Sequence, residues 1–343
     1  MSDQRIRNME QFATVCGISR PTLSKYFHDP SSVRKSTRQK IEDALEEFDY
    51  RPNIFAINQN RKLTKNVGIV VPYLADPFFA EIARNIETMV IEAGFRPILL
   101  SSHGSTSQEI ENLDSLRSIK PAGVLMAPLG RASDRIALEA FCKDVPSVLF
   151  DSNISELGDV FVGHDNLQAT TLICDYLCRT GTSPAFFEMR TPTNPNAYRR
   201  RKAYSEAMER EGRPVHLLQV EGEDWEFERI GYEGGLKLIE ERGLPSDTIL
   251  CSNDRLAIGL LAAAYEKGLR VGRGFGTSLR IAGHDDHPYS RYTCPSLTTV
   301  SQDYTAIAER SVDLLFKLIE GGERTDIRRE ILFEGKLVMR NSA

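Results

Sequence analysis

Several residue types recur where short apolar runs end, and their chemistry suits a small polar ligand. In "ADPFF", Asp76 can accept a hydroxyl hydrogen bond while Phe78 and Phe79 offer ring faces to the apolar side of a pyranose. The same spacing also reads as a helix start, with Asp76 as the cap and the phenylalanines as core, and the residues alone leave both readings open. Further along, Asp151 ends "VLFD", Arg200 lies in "RRRKAY", Trp225 is the single tryptophan, Asn253 and Asp254 end "LCSND", and Asp285 lies at the end of "IAGHDD".

A different chemistry is concentrated near the start, in "GISRPTLSKYF". Gly17 is placed as the turn glycine after the helical stretch "NMEQFATVCG", and Ser19 as the cap of a second helix whose first turn is Arg20, Pro21 and Thr22. Two short helices joined this way form a helix-turn-helix, which lays the tip of its second helix in the DNA major groove. Arg20 at that tip can grip guanine O6 and N7, and Ser24 and Lys25 can serve base or phosphate. A third helix, "STRQKIEDALEEF", is expected to start at a cap Ser36 and to close the core with Ile41, Leu45 and Phe48. An ordinary helical hairpin is the competing reading of the turn pattern alone.

Catalytic and metal chemistry find no comparable pattern. The four residues of "HDDH", His284 to His287, would point in alternating directions from a strand end and cannot converge on one ion. "GRGFG" lacks the lysine of a phosphate loop and reads as a turn, and no serine sits in a nucleophile elbow. No catalytic residue, metal ligand or cofactor is therefore expected.

These residues need a scaffold, and the rest of the sequence describes one. From Lys65 onward, apolar runs such as "VGIVVPYL", "AGVLMAPL", "PAFFEM" and "DTILCS" alternate with helical stretches, the pattern of parallel sheets covered by helices on both faces. Two such halves leave a crevice at the carboxyl ends of their strands, where ligands bind. The charge is divided accordingly. Residues 1–65 hold twelve Lys/Arg against eight Asp/Glu and the remainder 31 against 40, so a basic head is joined to an acidic body within a net charge of −5. A basic head suits a polyanion. With 343 residues, 41% hydrophobic and 27% charged, two or three compact units are expected. The absence of a long apolar run or a leader-like start predicts a cytoplasmic protein without membrane contact, and six scattered cysteines predict reduced thiols.

"GISRPTLSKYF" followed by "SSVRKSTRQKIEDALEEFDYRPN" resembles the DNA-binding head of the lac repressor/galactose repressor (LacI/GalR) family, and the resemblance continues collinearly to "LVMRNSA". It implies an α/β chain with a three-helix head at 1–52 and a hinge helix at 53–65. A periplasmic-binding-protein-like body would follow at 66–343, its chain crossing three times between subdomain 1 (about 66–163 and 302–330) and subdomain 2 (about 164–301 and 331–343). It implies effector contacts at Asp151, Arg200, Trp225, Asn253 and Asp285, and DNA contacts at the hinge. There Asn53, Phe55 and Ala56 are in play, and the position of the family's minor-groove leucine holds Gln59, a poorer wedge expected to bend DNA less. The expected function is a ligand-responsive repressor, a homodimer on operator DNA, its effector a sugar or related polyol. The alternative is a sugar-binding or sugar-processing protein without DNA function.

Overall fold

The computed structural model describes residues 6, 9–28, 30–48, 64–192, 194–241, 243–321 and 329–343. The chain divides into two units, Met1–Thr64 and Lys65–Ala343. The hinge residues Asn53, Phe55, Ala56 and Gln59 lie outside the described residues.

In the first unit, α1 (Met9–Cys16), α2 (Arg20–His28) and α3 (Lys35–Phe48) close around the fully buried Phe12, Leu23 and Ile41. Gly17 takes φ +59, the left-handed turn that a Cβ would oppose, and Ile18 N–H reaches back to the Ala13 carbonyl at 3.1 Å. Ser19 caps α2, its hydroxyl accepting from Thr22 N–H at 3.3 Å. Ser36 is not the cap of α3. That helix begins at Lys35, with Arg38 N–H already bonded to the Arg34 carbonyl at 2.9 Å, so Ser36 sits inside the first turn. Phe48 does not close the core either: it is 37% exposed, and Ala44, one turn after Ile41, takes the inward place. Phe48 is on the same helical face but is the last residue of α3, a full turn past Ala44.

The second unit contains two parallel sheets. The first has the order β11-β5-β4-β3-β1-β2, built from β1 (Asn66–Val71), β2 (Arg96–Ser101), β3 (Gly123–Met126), β4 (Ser147–Phe150), β5 (Val160–His164) and β11 (Arg329–Phe333). All six positions of β1 are buried, as a strand covered on both faces requires. One face is covered by α4 (Pro77–Glu92) and α11 (Tyr304–Ile319), the other by α5 (Thr106–Ile119) and α6 (Arg135–Asp144). The second sheet has the order β7-β6-β8-β9, from β6 (Ala185–Met189), β7 (Leu217–Val220), β8 (Thr248–Cys251) and β9 (Arg280–Ala282). Its helices are α7 (Asn166–Thr180) and α8 (Pro195–Arg210) on one side, α9 (Phe227–Glu241) and α10 (Asp254–Glu266) on the other.

The chain passes between the sheets after β5, again around the short strand β10 (Thr299–Ser301), and a third time after Phe333 into β12 (Lys336–Val338), which pairs antiparallel with β10. β11 as a whole belongs to the first sheet and runs through the point near residue 330 where the sequence had suggested the return. Close helix contact on the second sheet rests on glycine: a Cβ on Gly259 would lie 2.1 Å from the Glu228 carbonyl oxygen, and one on Gly231 would lie 2.4 Å from that of Leu256. Among the described residues no helix is long and apolar enough to cross a membrane.

Candidate functional site

In the head, Ser19, Arg20, Pro21 and Lys25 are exposed and Thr22 and Ser24 half-exposed, along one end of α2. The burial of Leu23 and Tyr26 on the opposite side fixes which side chains face outward. The Ser19 and Thr22 hydroxyls bond each other at 2.8 Å, holding the start of α2 in one geometry while the Arg20 side chain extends outward. A guanidinium at an exposed helix tip has the fork that guanine requires.

In the body, a cleft lies where the strand ends of the two sheets face each other. The structure brings together there Asp76, Phe78, Phe79, Asp151, Arg200, Asn253 and Asp285. It does not bring Trp225 to the cleft wall. The indole is 7% exposed, stacked on Tyr73 with centroids 5.8 Å apart, and meets Phe79 and Phe227 edge-on at 5.9 and 5.7 Å. The platform expected from its type is thus occupied by other rings, and Phe78, Phe79 and Phe227 are the phenylalanines at the wall.

The helix-start reading of "ADPFF" is what the structure shows, at a place that also borders the cleft. Asp76 Oδ1 caps α4 by accepting from Phe78 N–H at 2.9 Å, and Phe78 and Phe79 are buried, yet all three line the cleft. Asp76 also accepts from Arg255 Nη1 at 2.9 Å. Burial pushes its pKa up, and the neighbouring Arg255 opposes that shift.

The centre of the site is the pair Arg200–Asp285. Arg200 Nη2 and Nη1 donate to the two carboxylate oxygens at 2.6 and 3.3 Å, Nε donates to Asn166 Oδ1 at 2.8 Å, and Nη1 also donates to the Ser252 carbonyl at 2.7 Å. Gln302 Nε2 gives Asp285 another bond at 2.6 Å. Burial raises the carboxyl's pKa, but Arg200 and then His284 outweigh it and hold Asp285 well below the usual carboxylate range. Asp285 takes φ +117, a costly backbone for a residue with a Cβ, over-determined here by these bonds and by Tyr304, whose hydroxyl donates to its carbonyl.

Asp151 behaves oppositely. It is buried, its carboxylate accepts from Asn196 Nδ2 at 2.9 Å, and no guanidinium bonds it directly. Burial, partly opposed by Arg200, pushes its pKa up to about 7. Asn253 caps α10 through Leu256 N–H at 2.8 Å. Beneath these residues the imidazoles of His164 and His284 meet edge-on at 5.3 Å, both buried. Burial lowers their pKa values to about 3 and about 4, with His284 adding to the shift at His164 and Arg200 to that at His284. The site therefore combines an anchored carboxylate–guanidinium pair, a carboxyl whose pKa burial raises, an amide and three phenylalanine rings. That set can both donate to and accept from neighbouring hydroxyls.

The residues of "HDDH" go four ways. His284 faces His164, Asp285 bonds Arg200, Asp286 bonds Arg340 at 2.6 Å, and the His287 N–H donates to Asp254 at 2.9 Å. "GRGFG" forms a turn, with Ser278 N–H returning to the Arg270 carbonyl at 2.7 Å. Reading the sequence missed Asn196, Arg255, Gln302 and His164. Only Arg255 carried a local signal, two residues after Asn253 at a strand end.

Residues 8–53 match the bacterial regulatory proteins, lacI family, and residues 175–343 match the periplasmic binding protein-like domain. The sucrose operon repressor of Lactococcus lactis subsp. lactis is 28% identical over 317 residues, 91% of this chain and 93% of its own. The HTH-type transcriptional repressor PurR of Pasteurella multocida (strain Pm70) is 26% identical over 339 residues, 97% of this chain and 98% of its own. A solved structure of the lac repressor dimer bound to operator and the anti-inducer ONPF superposes with a TM-score of 0.80 at 25% identity, covering 98% of each chain. A lacI-type head and a periplasmic-binding-protein-like body, joined in the order found in relatives matched along nearly their whole length, place the chain in the LacI/GalR family of transcriptional regulators.

Proposed function

We propose that this chain is a transcriptional repressor that binds a pseudo-palindromic operator as a homodimer and changes its operator affinity when a sugar or related polyol enters the body cleft. The observation that carries the reading is the union, in one chain, of a lacI-family head presenting Arg20 and Lys25 outward with a cleft built around Arg200 and Asp285. In this reading Arg20 reads a base, and Ser19, Pro21, Thr22, Ser24 and Lys25 complete the docking face on base or phosphate. The hinge positions Asn53, Phe55, Ala56 and Gln59 enter the minor groove.

Effector contacts fall to Asp76, Phe78, Phe79, Asp151, Arg200, Asn253 and Asp285, with Trp225 supporting the aromatic wall from behind. In this reading the carboxylates serve hydrogen bonding, with Asp285 already committed to Arg200. A gel-shift assay on the DNA upstream of the protein's own gene, with and without a sugar panel, tests this. Sequence-specific retardation altered by at least one polyol is expected. Sugar binding without specific retardation would refute it in favour of a carrier or sugar-processing protein.

A further inference from the structure

Arg255 belongs to α10, on the second sheet, and its side chain reaches across the cleft to the first. Nε and Nη2 hold both carboxylate oxygens of Glu228 at 2.7 and 2.6 Å, while Nη1 donates to Asp76 Oδ2 at 2.9 Å. The guanidinium also lies 5.0 Å over the Phe227 ring. Glu228 and Phe227 share Arg255's side of the cleft, so they fix the guanidinium where it stands, and Asp76 is its sole bond to the other side. The arginine and aspartate side chains are 11% and 8% exposed, a setting in which a charge-assisted bond is stronger than at the surface. Both line the cavity. Other links span the same gap, among them Asn196 to Asp151, the Tyr304 hydroxyl to the Asp285 carbonyl, Trp225 on Tyr73 and Phe79, and the Arg131 guanidinium over the Tyr198 ring at 4.8 Å, but none of these is an ion pair.

We propose that Arg255 is a further effector-contacting residue and the latch of the cleft: it holds Asp76 directly when no effector is bound, and a pair of neighbouring hydroxyls takes over that bond. One hydroxyl hydrogen satisfies Asp76, and the oxygen of the next accepts from Arg255. A vicinal diol therefore gives each charged group a hydroxyl of its own, whereas a single hydroxyl has to donate to Asp76 and accept from Arg255 at once, which keeps the two side chains as close as one oxygen allows. This selection of vicinal diols rests on the regulator reading above; the latch itself does not.

The chain supplies its own reporter. Trp225 is the single tryptophan, and although it belongs to the second half it packs on Tyr73 and Phe79 of the first, so opening the cleft uncovers it. The test is acrylamide quenching of Trp225 in the full chain without ligand, for wild type, Arg255→Gln, Asp76→Asn and the double variant, with far-ultraviolet circular dichroism to confirm folding. Each single variant is expected to lower the closed-to-open ratio on the order of tenfold, the size of one lost charge-assisted bond, and the double variant to add little. Arg255→Lys, which keeps the charge but loses the hold on Glu228, should fall between, and it carries the test if Arg255→Gln does not fold.

Quenching unchanged in folded Arg255→Gln or Arg255→Lys, or strictly additive effects of the two single changes, would overturn the latch. A wild type that fails to bind operator would refute the regulator reading and leave the quenching result standing. In a second arm, 2 mM to 200 mM cis-1,2-cyclohexanediol and cyclohexanol are titrated against wild type as about a hundredfold concentration range around weak diol binding. The exchange predicts that the diol changes quenching more than cyclohexanol does at equal concentration, and equal responses to both would overturn it.

Discussion

Replacing His164 by glutamine should change how the stability of the body depends on pH. In the fold the imidazole is 3% exposed, faces a second buried imidazole, and has its pKa lowered from 6.5 to about 3, chiefly by burial. Unfolded, it takes up a proton below pH 6.5; folded, it stays neutral until about pH 3. The unfolded state therefore binds the extra proton throughout that window. Because the folded pKa is the lower one, the stabilisation is fully present above pH 6.5 and is lost as pH falls towards 3, at about 1.4 kcal/mol per pH unit. By pH 5 the loss from this group amounts to about 2 kcal/mol. Glutamine is close in size and does not titrate, so any packing penalty is a constant offset. Urea unfolding followed by circular dichroism at half-unit steps from pH 5 to 7.5 should show the variant gaining on wild type as pH falls, with that slope below 6.5 and none above 7. A stability difference independent of pH would mean that His164 is protonated in the fold and that the packing argument is wrong.

Four other outcomes are expected. Arg20→Ala should cost about 1–3 kcal/mol on the cognate operator and relax preference at one base pair per half-site, read by gel shift across single-base operator variants. Leu23→Ala, in a core of three short helices, should cost about 2–5 kcal/mol, abolish operator binding and leave the thermal transition of the body unchanged in calorimetry. Asp285→Ala strands the guanidinium of Arg200, which is 5% exposed, and should cost about 3–5 kcal/mol of body stability while removing the sugar response, by denaturant titration and calorimetry with the sugar panel. Gly259→Ala puts a methyl group against the Glu228 carbonyl and should lower the body's melting temperature by several degrees, about 1–3 kcal/mol or more for overpacking against backbone.

Much of the scaffold was legible because parallel strands are buried on both faces and read as unbroken apolar runs. β1 is buried at every position and carries no polar side chain from Val67 to Val71. The ends of those runs were legible as ligand positions for a topological reason, since the strands of both halves point their carboxyl ends into one gap. What stayed hidden depends on distance along the chain. Asp76 and Arg255 are 179 positions apart and Asp151 and Asn196 are 45 apart, and no local pattern announces such partners. The surroundings of Trp225 stayed hidden for a related reason: its type announces a stacking face but not which ring already covers it. At Ser36 a good capping residue sat one place inside a helix that starts at Lys35, the kind of short shift that propensity alone cannot resolve.

The pairing of β11 with β5 constrains how the body can assemble during synthesis. Arg329 lies beside Val160, and the whole second sheet, β6 to β9, is encoded in the stretch between them. As the chain leaves the ribosome, that sheet has all its strands before β11 exists, while the first sheet waits with β5 as an open flank. An unpaired, mostly apolar edge is a template for another nascent chain. Whatever shields β5 in that interval, a chaperone or the neighbouring helices, governs how much newly made protein reaches its folded form.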